Sequence, residues 1–242
     1  MSVADPVPAP SATARLQSIP RLSIIVPMIN EREALPALLD HLRHWQQRGA
    51  EVLLVDGGSD DGSDRLAQAM GFEVIHSERG RANQMNSGAA AARGEVLLFL
   101  HADTRLPEEA DRLLLAAIDN GRDWGRFDVR IIGNSIMLPL VARLMNLRSR
   151  LSAIATGDQG IFIRRETFQQ LGGFPQQRLM EDIELSARLK KISHPACLKQ
   201  KVATSGRRWD QNGALKTILL MWRLRWAYWR GSHPDRLAEL YR

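Results

Sequence analysis

Four short apolar runs, at residues 22–26, 52–55, 72–75 and 96–100, recur through the first hundred positions with amphipathic stretches between them. Leu35, Leu38, Leu39 and Leu42 keep the spacing of one helical face. Strands alternating with helices predict a parallel sheet whose right-handed crossovers put helices on both faces. The run Glu95-Val-Leu-Leu-Phe-Leu100 is apolar almost throughout, which suits a central strand buried on both sides. The expected class is therefore α/β and Rossmann-like, mostly parallel. In such a sheet ligands bind beyond the carboxyl ends of the strands.

Polar residues follow the runs at those places. The first is followed by Pro27-Met-Ile-Asn-Glu31, the second by Asp56-Gly-Gly-Ser-Asp-Asp-Gly-Ser63, and the fourth by His101-Ala-Asp-Thr104. The third crossover, residues 79–88, opens an Ala-rich helix with two Arg and three amides, a plausible contact for phosphate at a helix N-terminus. The second half is less regular. Residues 126–132 alternate as a strand, and 135–151 predict a helix interrupted near Pro139. Gly157-Asp-Gln-Gly160 precedes a strand at 161–163, a helix over 166–171 runs into Gly172-Gly-Phe-Pro175, and another helix begins near Met180-Glu-Asp182.

Four acidic residues at three places in the chain are candidates for chemistry. Asp103 ends a buried strand, where a carboxylate reaches a divalent cation that shares its shell with substrate phosphates; it and Thr104 equally suit the cap of a helix near Pro107. Asp56 before Gly57-Gly58 lets backbone approach a flat base or ribose, or forms a turn with Asp60 or Asp61 capping the next helix. The loop fits neither a Walker A nor a dinucleotide pattern. Glu181 and Asp182 project about 100° apart on a helix, so one can face a cleft as a general base, or both can stabilise the helix N-terminus.

Residues 26–31, 54–62, 99–104, 172–175 and 180–185, in this order, resemble the family 2 glycosyltransferases of the GT-A fold from about residue 21 to 210. The Gly-Arg-x-x-Gln-Met-Asn and His-Ala-Asp-Thr sequences look closest to a small bacterial subgroup labelled as associated with radical SAM proteins or arsenosugar biosynthesis. The resemblance implies that Pro27, Asn30 and Glu31 surround the base, and that Asp56 holds base or ribose. Arg79, Arg81 and Asn83 lie near the nucleotide on this reading, with Ala102 beside it. Asp103 matches the metal-binding Asp of D-x-D, while His101 replaces its first acid and can bind Mn²⁺ or a ribose hydroxyl. Asp182 matches the catalytic base, and Gly157, Asp158, Gln159, Glu181 and Trp209 line the sugar and acceptor pocket. Arg208 faces the diphosphate. The implied reaction is inverting transfer of a sugar from a nucleotide-sugar, a UDP-sugar first among candidates, to an acceptor hydroxyl with Mn²⁺ or Mg²⁺. The alternatives are a nucleotidyltransferase that makes nucleotide-sugars and a non-catalytic membrane-surface module.

The net charge of +6 is confined to the tail: residues 1–200 balance, and residues 201–242 hold nine basic and three acidic side chains. A balanced body argues against a nucleic-acid partner. Leu215, Ile218, Leu219, Trp222, Trp226 and Trp229 form one helical stripe beside Lys216, Arg223 and Arg230, and Leu220, Met221, Leu224 and Tyr228 form a second apolar side. Such a helix lies on anionic lipid, packs across the domain or meets a second copy. Residues 1–20 read as a Pro-rich flexible leader, 21–210 as the GT-A domain and 211–242 as a basic helical segment. With one cysteine and no run long enough for a bilayer span, the expected location is the cytoplasm, at large or on the inner membrane face.

Overall fold

The computed structural model describes residues 19–241; the expected leader lies outside them except for Ile19 and Pro20. The first half alternates as expected: β1 (Leu22–Met28), α1 (Leu35–Gln47), β2 (Glu51–Asp56), α2 (Ser63–Ala69), β3 (Glu73–His76), α3 (Arg81–Ala91) and β4 (Val96–Phe99). Then come β5 (Thr104–Arg105), α4 (Ala110–Asp119), β6 (Trp124–Ile132), α5 (Leu138–Ser152), a 3₁₀ turn (Gly157–Gln159) and β7 (Ile161–Arg164). The chain closes with α6 (Arg165–Gln170), α7 (Glu181–Leu189), β8 (Ala196–Ser205), α8 (Arg207–Asn212), α9 (Ala214–Trp229) and α10 (Pro234–Tyr241).

The strands form one sheet in the order β3-β2-β1-β4-β7-β6-β8-β5. The pairs β3·β2, β2·β1, β1·β4 and β6·β8 are parallel, while β7 is antiparallel to both its neighbours and β5 to β8. Alternation along each central strand feeds two cores. Ile24, Val26, Leu54 and Leu98 pack with the apolar faces of α1, α4 and α5, whereas Ile25, Leu53, Val55 and Phe99 pack with α3, α6 and α7. At the strand ends Met28 and Ala102 still join the first core, while Glu31, Asp56, His101 and Asp103 belong to neither.

Two expectations change. Pro139 does not interrupt a helix: it stands in the first turn of α5, where its missing N–H costs nothing, and the helix starts at Leu138. Thr104 does not cap a helix. It pairs with Thr204 in the short β5–β8 ladder and bonds that residue's hydroxyl at 3.1 Å.

Strand β6 holds a fully buried Arg126, ion-paired with Asp128 beneath Arg150, whose Nη2 is 2.9 Å from the same carboxylate. Removing Asp128 leaves an uncompensated guanidinium in the core. Asp128→Ala is expected to cost about 3–5 kcal/mol, read as a lower denaturant midpoint with unchanged slope.

At the C-terminal end, Leu224 of α9 and Leu237 of α10 bury against Met180, with Leu220, Met221 and Tyr228 around them. Thus the second apolar side of α9 docks on the domain. Of the Trp stripe, Ile218 packs on the main core, whereas Leu215, Leu219, Trp222, Trp226 and Trp229 remain 59–80% exposed. No helix among the described residues is long and apolar enough to cross a membrane.

Candidate active site

Beyond β1 and β2 the two loops are stitched together. Asn30 takes a left-handed backbone (φ 52°), which Asn tolerates better than most residues. Its N–H donates to Ser59 Oγ at 2.9 Å, and its Oδ1 accepts from the Asp60 N–H at 3.0 Å. The Glu31 N–H donates to Ser63 Oγ. The Asp56 carboxylate, expected to hold base or ribose, is spent inside this turn: it accepts from the Gly58 and Ser59 N–H groups at 3.0 Å and from the Ser59 hydroxyl. Asp60 and Asp61 do not act as a conventional cap either, since Gly62 occupies the N-cap of α2 and Asp61 instead accepts from Ser63.

The amides of 79–88 are likewise structural in part. Gln84 donates to the carbonyls of both Met28 and Val55 at 2.8 Å, tying the ends of β1 and β2 together. Asn86 exchanges two hydrogen bonds with the backbone of Phe174, and a Cβ on Gly173 would come within 2.6 Å of its Oδ1. That close approach accounts for Gly173 in the Gly-Gly-Phe-Pro turn.

A cavity of about 1530 Å³ opens over these strand ends. Pro27, Glu31, Arg81, His101, Ala102 and Asp103 reach it from the first half. Gly157, Asp158, Glu181, Asp182, Arg208 and Trp209 reach it from the second. Asn30, Asp56, Arg79, Asn83 and Gln159 do not line it. Gln159 is buried instead, its Oε1 accepting from the Thr156 N–H and its Nε2 donating to Asn146.

Met180 holds a left-handed backbone (φ 67°), a costly state for a residue with a side chain, and turns the chain sharply into α7. Glu181 and Asp182 therefore enter the cavity from the first helical turn. Asp182 is oriented from two sides: Oδ2 accepts from the Gly157 N–H at 2.8 Å and Oδ1 from the Ile183 N–H at 2.7 Å. Burial nevertheless pushes its pKa up, against the pull of those N–H groups. Glu181, 3% exposed and 3.7 Å from Arg81, is pushed up to about 7 by burial and then by the charge of Asp182. Two adjacent carboxyls, both pushed upward by burial and one of them to about 7, suit proton transfer.

His101 meets Asp158 through Nδ1 at 3.1 Å, and a Cβ on Gly157 would overlap its Nε2 edge. Burial works to raise the Asp158 carboxyl, but the hydrogen bond and charge of His101, with Arg81 and Arg208, hold it below the usual range. With Nδ1 bonded and the Nε2 edge packed against Gly157, His101 serves the Asp158 loop. Asp103 is different. Its Oδ1 contacts the hydroxyls of Thr104 and Thr204 at 3.2 and 3.4 Å, and Oδ2 has no protein partner among the described residues. One open carboxylate fits Mg²⁺ or Mn²⁺ completed by water and phosphate oxygens, not a protein cage. Among the described residues no group of three or more His, Cys, Asp or Glu could form such a cage.

Burial and the charges of Asp103 and Asp61 raise Glu31 against the pull of Arg207. Arg208 donates to the Tyr241 carbonyl at 2.8 Å and stacks 3.7 Å above its ring, so α10 fixes the guanidinium at the cavity wall. Trp209 packs its ring against the main core.

A curled, mostly parallel sheet flanked by helices, with its motifs gathered at the strand ends, defines the GT-A class of glycosyltransferase folds. The chain belongs to glycosyl transferase family 2, whose pattern it matches over residues 23–170. It is 29% identical over 158 residues to the undecaprenyl-phosphate 4-deoxy-4-formamido-L-arabinose transferase of Klebsiella pneumoniae, covering 60% of this chain and 48% of that one. The Yersinia pestis enzyme of the same name is 25% identical over 167 residues, covering 61% and 49%. The chain thus spans about half the length of the curated relatives it matches. Among solved structures, a mannosyltransferase from Pyrobaculum calidifontis in complex with GDP-Man and Mn²⁺ superposes with a TM-score of 0.62 at 21% identity, over 86% of this chain and 61% of that one. Glucosyl-3-phosphoglycerate synthase from Mycobacterium tuberculosis, in complex with Mg²⁺ and UDP, gives 0.57 at 18% identity, over 76% and 70%.

Proposed function

We propose that the chain transfers a sugar from a nucleotide-sugar to an acceptor hydroxyl, with inversion at the anomeric carbon. The observation that carries this reading is Asp182, fixed by two backbone N–H groups and lining the same cavity as Asp103. Asp182 takes the acceptor proton as the acceptor oxygen bonds to the anomeric carbon. The carbon–oxygen bond to the diphosphate breaks with its electron pair, and the nucleoside diphosphate leaves. Arg81, paired with Glu181, adds positive charge beside the leaving group, and Pro27 and Glu31 flank the base. A divalent cation on Asp103 would supply Lewis-acid stabilisation of the departing diphosphate. The mannosyltransferase and the synthase above carry such cations. UDP-sugars stand first as donors, and the signatures at 80–86 and 101–104 favour the small bacterial subgroup associated with radical SAM proteins or arsenosugar biosynthesis.

Incubation with a panel of UDP- and GDP-sugars tests the reaction. Release of nucleoside diphosphate together with a glycosylated product is expected; release of pyrophosphate would instead mean nucleotidyl transfer. EDTA, or Asp103→Asn in the presence of metal, is expected to lower turnover by about 100-fold or more. Full activity after chelation would exclude Asp103 as a metal ligand in the reaction.

A further inference from the structure

Of the fourteen large apolar side chains exposed among the described residues, ten lie on α5, its entry at Ile136, and α9. A patch concentrated in this way marks a contact surface. On α5, Leu140, Leu144, Leu147 and Leu151 recur at i, i+4, i+7 and i+11. On α9, Leu215, Leu219, Trp222, Trp226 and Trp229 repeat that spacing and extend it to i+14. Each set is one stripe along its helix. The two stripes border a common opening, because Leu144, Leu147 and Leu151 line it together with Trp222 and Trp226. Neither helix contains an acidic residue. Arg143, Lys216, Arg223 and Arg230 are exposed and make no ion pair among the described residues. Arg148 and Arg150 do not join them: the guanidinium nitrogens of Arg148 are sealed from solvent, and Arg150 is held by Asp128. On its inner side α9 is anchored through Leu224, packed with Met180 and Leu237, so the outward stripe is fixed before anything binds.

We propose that α5 and α9 together form a docking surface that lays their two apolar stripes into the interface of an anionic bilayer. Both kinds of group on this face find a partner there. The Leu and Trp side chains reach the boundary of the acyl chains, a depth that suits the amphipathic indole, while the long stems of Lys and Arg carry their charges back to the lipid phosphates. Charge selects this occupant over a second copy. A two-fold dimer sets a patch against itself, so the ridge of Lys216, Arg223 and Arg230 would meet its own like charges with no acid on either helix to answer them. The helices lie along the bilayer surface, since α9 is anchored on its inner side and no helix among the described residues is long and apolar enough to cross. Lipid binding through this face is independent of the transfer reaction proposed above.

Co-sedimentation of the full chain with vesicles, with no sugar nucleotide present, tests the surface. Vesicles of phosphatidylcholine with about one third phosphatidylglycerol are expected to bind about tenfold or more tightly than pure phosphatidylcholine, and concentrated salt to weaken that binding. Tryptophan emission is expected to shift to the blue as the indoles leave water. Trp229→Glu on α9 and Leu140→Glu on α5 are both at exposed positions outside the active-site cavity. Each should weaken binding to the anionic vesicles by about tenfold with the melting temperature unchanged, and so should Lys216→Glu combined with Arg230→Glu. Failure to sediment with anionic vesicles would overturn the proposal, as would equal binding to the neutral ones. Full binding by Leu140→Glu would remove α5 from the surface, and full binding by Trp229→Glu would remove α9; either result ends the two-helix surface. A lipid-free dimer that Trp229→Glu dissociates would assign the face to a second copy. If an apolar-to-Glu variant does not fold, the Lys216→Glu, Arg230→Glu pair carries the test, and unchanged affinity there overturns the proposal.

Discussion

Asp182→Asn is expected to lower turnover by roughly 10²- to 10⁴-fold, the span that a positioned general base contributes, while UDP with Mn²⁺ still raises the melting temperature. The amide keeps the size of the carboxylate, and one face can still accept from the Gly157 N–H, so the loss reports basicity. The pH profile carries the same assignment. Because burial raises the pKa of Asp182, its base form is lost as pH falls through a value above the ordinary carboxylate range. Activity therefore rises with pH through that limb. Ionisation of Glu181 near 7 then places a second negative charge beside Asp182 and strengthens it as a base, giving a further rise. Glu181→Gln should erase the upper step and leave the lower limb in place. A profile flat from pH 4 to 8 in the parent enzyme would remove the pair from catalysis.

The second large effect is expected at Gly157, a residue with no side chain to contribute. Its N–H orients Asp182, and its Cα lies against the His101 ring so closely that an added methyl overlaps Nε2. Gly157→Ala must push His101 away from Asp158 or move the turn that holds the base. A displacement near 1 Å costs about 100-fold in rate, and a loss of that order is expected with little change in melting temperature. His101→Ala in the Gly157→Ala background makes room for the methyl. Recovery there would show that the collision, and not the Gly157 backbone itself, causes the loss.

Much of this arrangement is written in local patterns. The apolar runs and helical spacings locate β1 to β4 within one or two residues, the strand-end rule places Glu31 and Asp103 on the cavity, and Asp182 enters it from the helix start read near Met180. The remainder depends on partners distant in the chain. The carboxylate of Asp56 looks available for a ligand until the turn folds back and delivers the Gly58 and Ser59 N–H groups to it. Nothing around His101 in the sequence announces that Asp158, far along the chain, will meet its Nδ1. Arg126 sits among alternating strand residues with nothing to announce complete burial, because Asp128 and Arg150 meet it only once β6 and α5 pack. Arg148 is legible in the sequence only as one more basic residue on a helix. Pro139 is ambiguous for a simpler reason: a proline both breaks a helix and begins one, and the apolar residues on either side do not distinguish the cases.

The position of β7 also bears on how the chain is made. It pairs with β4 on one side and β6 on the other, so the completed sheet depends on a strand that emerges about sixty residues after β4. During synthesis the first four strands can assemble while Val96–Phe99 still presents a bare apolar edge. At ~5–20 residues per second that edge waits roughly 3 to 12 s for its partner. An unpaired apolar edge is a template for pairing with another chain. Ribosomal pausing between residues 100 and 160 should therefore raise the aggregated fraction, whereas pausing after residue 170 should not.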